Sequence, residues 1–175
     1  MDGATARREN ASVPEILPAR SAEDLEAVRA LFGEYAAGVA EPCCFAGFER
    51  ELAGLPGEYA PPQGALILAR DGSAAAGCVA LRRQDAERGE MKRLYVRARW
   101  RGTGLGRALA LAAIGAAREA GYARLVLDTL PKMSEAIALY RTLGFKPSGP
   151  YSATPTPGAI FYELSLTERA PARQA

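Results

Sequence analysis

Apolar residues recur along this chain with helical spacing in some stretches and in short strand-length runs in others. Residues 1–14 are polar and are read as a flexible N-terminal tail, and Glu15 to Arg20 follow as a first strand, whose Pro18 suits an edge position. Ser21 offers an N-cap hydroxyl, and Leu25, Val28, Leu31, Phe32 and Tyr35 then give a helical stripe. A second helix is predicted over Phe45 to Leu55, with a Pro/Gly-rich loop running on to Pro62. Gly64 to Ala69 and Ala75 to Arg82 read as strands joined at Asp71-Gly72, a strong hairpin signal, and Glu90-Met-Lys-Arg-Leu-Tyr-Val96 is the next strand of that meander.

The second half of the chain alternates more sharply. Leu105, Leu109, Ala112, Ala113, Ala116 and Ala120 recur at helical spacing, and Gly121 sits where a C′ glycine belongs. Arg124 to Leu130 has the length and branching of a buried strand, and Ala136 to Phe145 reads as a helix ending in Gly-Phe. A strand and a Pro-rich loop from Pro147 to Pro157 precede a closing strand from Ala159 to Leu166. The pattern predicts one α/β domain over residues 15–168, with residues 169–175 as a second flexible tail.

Composition narrows the function. A chain of 175 residues, 49% of them apolar, is enough for one core and short for two. The net charge of +2 carries no broad basic excess that would demand nucleic acid, and no apolar run reaches membrane-spanning length. The first residues lack a signal-peptide core, so a soluble cytoplasmic protein is the expectation. Histidine is absent, which excludes imidazole zinc sites and Ser-His or Cys-His nucleophile pairs. Cys43, Cys44 and Cys78 form an odd set without Cys-x-x-Cys spacing, which argues against a disulfide framework. No metal is expected.

The chemistry lies between the Glu90 strand and the helix that begins at Leu105. Gly102, Gly104 and Gly106 alternate with Arg101, Thr103, Leu105 and Arg107, so the backbone can turn tightly and present N–H groups to a ligand without Cβ interference. The helix starts inside this turn, and its unpaired first-turn N–H groups and dipole favour an anion, with Arg101 and Arg107 adding full charges. The dinucleotide fingerprint fails because Arg107 stands where its third glycine belongs, and the Walker pattern lacks its Gly-Lys-Ser/Thr.

Arg101, Gly104 and Gly106 instead resemble the Arg/Gln-x-x-Gly-x-Gly/Ala acyl-CoA signature of the GNAT family of N-acetyltransferases, and Tyr140-x-x-x-Gly144-Phe145 resembles that family's second signature. The resemblance covers residues 90–145. It implies the GNAT fold: a mixed central sheet of six or seven strands flanked by about four helices, with central parallel strands splayed at Val96 and Leu127 to Leu130. It further implies acetyl-CoA as co-substrate, with the backbone of Leu94, Tyr95 and Val96 pairing with the pantetheine arm and the N–H groups from Arg101 to Arg107, through Gly102, Thr103, Gly104, Leu105 and Gly106, holding the pyrophosphate. The implied reaction is direct acetyl transfer, in a ternary complex, to a primary amine of a small molecule or peptide. A CoA-binding sensor on the same fold is the alternative, and a homodimer paired through strand edges is compatible with the resemblance.

In that family the tyrosine at Tyr140 commonly lies beside the thioester sulfur and protonates the departing thiolate. Glu90 stands where several members carry the base that takes a proton from the amine; burial would have to raise its pKa for that task, and the competing reading is a solvated charge. The asparagine common seven residues before the tyrosine is replaced by Met133, leaving Ser134 as the neighbouring substitute. Arg97 and Arg99 read as solvated charges and Trp100 as a packing anchor rather than a base-stacking surface. Phe45, Phe48 and Tyr151 lie in the segments expected to flank the acceptor.

Overall fold

The computed structural model describes residues 13–167, so the predicted tails lie outside the described residues except for Val13 and Pro14, as does the proposed domain end at residue 168. Seven strands form one sheet in the order β1-β2-β3-β4-β5-β7-β6. β1 (Glu15–Pro18) takes the edge, where the missing N–H of Pro18 costs no ladder bond, and pairs antiparallel with β2 (Ala65–Asp71). β2 turns through Gly72, at φ 61, into β3 (Ala74–Arg83), as the Asp-Gly signal requires.

Helices cover both faces. α1 (Ala22–Val39) opens with a capping box: the Asp24 N–H donates to Ser21 Oγ at 3.1 Å and the Ser21 N–H to the Asp24 carboxylate at 3.0 Å. Val28, Leu31 and Phe32 on its stripe are fully buried with Leu68, Cys78 and Ala80 from β2 and β3. The helix predicted over Phe45 to Leu55 is shorter than expected. A 3-10 turn over Pro42–Phe45 ends at Ala46, and Gly47, at the left-handed value of φ 76, is the N-cap from which α2 starts only at Phe48, to finish at Ala53. On the other face, α3 (Leu105–Glu119) buries Leu109, Ala110, Ala113 and Ala117 on Val79, Leu81 and Leu125. No helix among the described residues is long and apolar enough to cross a membrane.

The feature that creates a site is the gap between β4 (Arg88–Val96) and β5 (Arg124–Thr129). These two strands run parallel, yet they pair only over Arg88–Glu90 against Arg124–Val126. Beyond that point β4 is bulged: its register against β3 shifts between Cys78 and Ala80, and Arg93 sits at φ 57. A non-glycine residue in that region costs about 1–2 kcal/mol. Compensation comes from the Arg93 side chain, which donates from Nε and Nη2 to the Glu51 carboxylate at 3.0 and 2.7 Å and lies 4.8 Å from the Phe45 ring centroid. Both partners of this pair are largely buried, with side-chain exposures of 8% and 18%.

Removing one member of a buried pair strands the other charge. Glu51→Ala is therefore expected to destabilise the fold by about 3 kcal/mol, a drop of roughly 6–12 °C in Tm, measured by calorimetry; a drop under about 2 °C would show that the pair does not hold the bulge.

Candidate functional site

With its β5 partner lost, the far half of β4 presents backbone to open space. The Arg97 N–H donates to Ala76 O on β3 at 2.9 Å, so by strand alternation Val96 and Leu94 direct their polar groups the other way, towards the gap. The Val96 carbonyl there accepts from Arg101 Nε at 2.9 Å. The glycine turn follows. Gly102 and Gly104 have φ of 73 and 87, and Gly104 is the N-cap of α3, an end that no side chain caps. A Cβ added at Gly106 would meet only Leu139 and Val96, each at 3.8 Å, so the glycine keeps the floor of the cleft open without being needed for packing.

A cleft of about 650 Å³ joins these parts. Leu94, Tyr95, Val96, Arg101, Gly102, Gly106 and Ser134 all line it, together with Leu139 of α4 (Ser134–Thr142), its N-cap Met133, and Tyr35, Gly38 and Val39 of α1. Thr103, Gly104, Leu105 and Arg107 are not on its wall. The Thr103 hydroxyl is spent on Trp100 O at 2.7 Å, the Leu105 side chain is core, and the Arg107 guanidinium reaches Thr142 Oγ1 at 3.3 Å. The fit to a long phosphorylated thioester is good: a free strand edge for an amide-bearing arm, then an uncapped helix N-terminus and arginines for phosphate.

Trp100 is a packing anchor, 9% exposed, with Nε1 donating to Asp71 at 3.0 Å. Arg97 is more than a solvated charge. It clamps the end of β4 to α1 by donating to Glu34 at 2.7 Å from Nη2 and to Ala75 O at 2.8 Å from Nη1. Arg99 lies over the Trp100 ring at 5.1 Å.

A small cavity of about 50 Å³ adjoins the cleft and shares Tyr35, Val39, Leu94 and Met133 with its wall. Tyr140 on α4 forms part of its wall. This side chain is 8% exposed and packs on Phe145 at a centroid distance of 5.8 Å, and among the described residues its hydroxyl makes no hydrogen bond. Burial, reinforced by the Tyr35 and Asp128 charges, lifts its pKa above the ordinary 10.0. The phenol is therefore protonated throughout the neutral range.

Glu90 meets a different environment. Its carboxylate is buried, accepting from Arg82 Nε at 2.6 Å, Tyr151 OH at 2.9 Å and Lys92 Nζ at 3.3 Å. Burial alone would raise its pKa, but the charges of Lys92 and Arg82 and these hydrogen bonds outweigh it and hold the group below its ordinary 4.5. Glu90 is not on the cavity wall, whose charged residues are Arg93, already on Glu51, and Lys92 and Asp128, 3.8 Å apart. Lys92 and Asp128 gave no separate signal in the sequence, since each lies within a run that reads as strand. Tyr151 ties the loop after β6 (Lys146–Ser148) to β4 and packs edge-on against Phe161 of β7 (Ile160–Ser165) at 5.6 Å.

A bulged strand splayed from a parallel neighbour and a glycine turn that opens an uncapped helix are brought together on one cleft. The chain belongs to the acetyltransferase (GNAT) family, which residues 26–145 match. Over 148 residues it is 36% identical to an uncharacterised N-acetyltransferase of Schizosaccharomyces pombe, an alignment spanning 83% of this chain and 91% of that protein. Its fold is that of an acetyltransferase from Streptococcus agalactiae, with TM-score 0.75 at 21% identity over 88% of this chain and 99% of the other. A Salmonella typhimurium protein solved with its cofactor acetyl-CoA shares the fold with TM-score 0.64, at 18% identity over 91% and 97% of the two chains. The architecture is the GNAT fold, with seven strands, four α-helices and a parallel β4–β5 pair among the described residues.

Proposed function

We propose that this chain transfers an acetyl group from acetyl-CoA to a primary amine by direct attack in a ternary complex. The observation that carries the proposal is the shared wall of cleft and cavity. The free edge of Leu94 and Val96 and the glycine turn lie along the cleft, and the adjoining cavity is lined by the buried Tyr140, whose hydroxyl has no hydrogen bond among the described residues. Bound there, acetyl-CoA supplies an activated acyl group with a thiolate leaving group. The chain supplies alignment and protons.

In this reading the backbone of Leu94 and Val96 aligns the pantetheine arm, with Arg101 exchanging its hold on the Val96 carbonyl for the phosphates. Ser134, at the start of α4, takes the place of the missing amide. The amine, once neutral, forms its N–C bond to the acetyl carbon as the C–S bond breaks and the electron pair leaves with sulfur. Tyr140 gives its proton to that sulfur and recovers one from the nitrogen as the amide forms. The earlier proton, lost when the ammonium becomes amine, passes through water towards Glu90.

Glu90 is a weak base in this setting, and the sign of its shift makes a prediction. A carboxylate held below 4.5 is ionised throughout pH 6–8, so its own titration leaves no break in the rate there. For an ordinary primary amine, kcat/KM should instead climb about tenfold per pH unit from 6 to 8, tracking the neutral amine fraction. Thiol release from acetyl-CoA with a panel of primary amines tests the whole proposal. Amine-dependent release with that slope supports it; a break near pH 6–7 would show that Glu90 is tuned upward as a strong base. Tight CoA binding with no release on any amine would favour the sensor alternative.

A further inference from the structure

The wall of the small cavity carries information about the acceptor, given that the transfer reading holds. Its buried surroundings contain three cations, Arg82, Lys92 and Arg93, and three anions, Glu51, Glu90 and Asp128. Glu58, the further partner of Arg82, is 69% exposed and screened by solvent. The set is therefore neutral, unlike the net negative wall that a polyamine would need. Most of these charges are already matched. Arg93 has its fork on Glu51, and Glu90 is held by both Arg82 and Tyr151.

Lys92 and Asp128 are less closely matched: Lys92 Nζ donates to Glu90 Oε1 only at a long 3.3 Å, and Asp128 has Lys92 as its ion-pair partner. The two line the cavity with Nζ and Oδ1 3.8 Å apart, beyond the range of a direct hydrogen bond, and their side chains are 17% and 22% exposed. Arg93 also lines the cavity, but its guanidinium is taken by Glu51, which leaves Lys92 and Asp128 side by side on the same small space to complement a ligand that carries the opposite pair at similar spacing. In an α-amino acid the ammonium nitrogen and carboxyl carbon stand about 2.5 Å apart across one carbon, as backbone dimensions fix. The cavity, of about 50 Å³, has room for roughly four water-sized groups, which is the size of that head group. Asp128 and Tyr140 line the same cavity, so an ammonium held by Asp128 shares that space with the proton donor.

We propose that the acceptor is a compact α-amino acid, its ammonium held by Asp128 and its carboxylate by Lys92. Asp128 thereby places the nitrogen where the cavity adjoins the cleft, and Lys92 rejects amines that have no carboxylate. Peptide N-termini, whose α-carboxyl is an amide, fall on the rejected side.

The test is thiol release from acetyl-CoA with glycine, alanine and serine, each set against its decarboxylated amine and its amide. The expected result is a kcat/KM at least about tenfold higher for the free amino acids, and a ratio that falls to near one in Lys92→Met. Glu90 keeps Arg82 and Tyr151 in that variant, and an unchanged unfolding curve checks that the fold is intact. Asp128→Asn should raise KM for the amino acid more than it lowers kcat. Equal rates for the decarboxylated amines, or a preference that survives Lys92→Met, would overturn the assignment and leave the transfer reading standing. No release from any acceptor would overturn both.

Discussion

In a thiol-release assay, Tyr140→Phe is expected to lower kcat by at least about a hundredfold, the lower part of the range for a positioned general acid, with acetyl-CoA affinity changed by less than about twofold. The expectation follows from where the hydroxyl lies. Tyr140 packs by its ring on Phe145 and has no hydrogen-bond partner among the described residues, so phenylalanine keeps the packing and removes only the proton. A raised pKa makes the phenol a weaker acid in the resting state but guarantees that it is protonated when charge develops on sulfur. If affinity and turnover fell together, Tyr140 would be a binding residue; if neither moved, the leaving group would take its proton from solvent.

The second large effect is on binding. Gly106→Val should weaken acetyl-CoA binding by about thirtyfold to 150-fold, the equivalent of some 2–3 kcal/mol of overpacking, while shifting Tm little. The position is informative because its backbone is helical and a Cβ there meets ordinary contacts at 3.8 Å from Leu139 and Val96, so the loss is confined to cleft space. Gly104→Val should also abolish binding but makes a poorer probe. At φ 87, a β-branched residue strains the turn itself, so loss of binding and loss of local structure coincide. Unchanged affinity in Gly106→Val, with the protein folded, would mean that the cleft beside α3 does not hold the thioester.

The parts of this site that could be read from the chain are those set by local residue type. The Asp71-Gly72 hairpin, the Ser21 cap, the glycine turn with its helix and the Tyr140 to Phe145 ending all appear where the spacing put them. The parts that could not be read depend on partners far apart in sequence. Nothing about arginine signals φ 57 at Arg93; the bulge is held by Glu51, 42 residues earlier. Glu90 was read as a base or a solvated charge, and the environment that makes it a weak base comes from Lys92, from Arg82 on the neighbouring strand and from Tyr151, 61 residues on. Arg97 likewise owes its role to Glu34, 63 residues earlier. The second helix was overextended because Gly47, tolerated in many helices, here takes a left-handed conformation.

Calorimetric titration of the intact protein with acetyl-CoA, CoA, NAD and ATP in parallel bears most directly on the claim that the gap between β4 and β5 is a thioester site. Micromolar binding of acetyl-CoA and CoA, the order usual for working co-substrates, with NAD and ATP at least about tenfold weaker, is the predicted outcome. Equal binding of all four would reduce the glycine turn to a general phosphate grip. No binding of acetyl-CoA would contradict the site altogether.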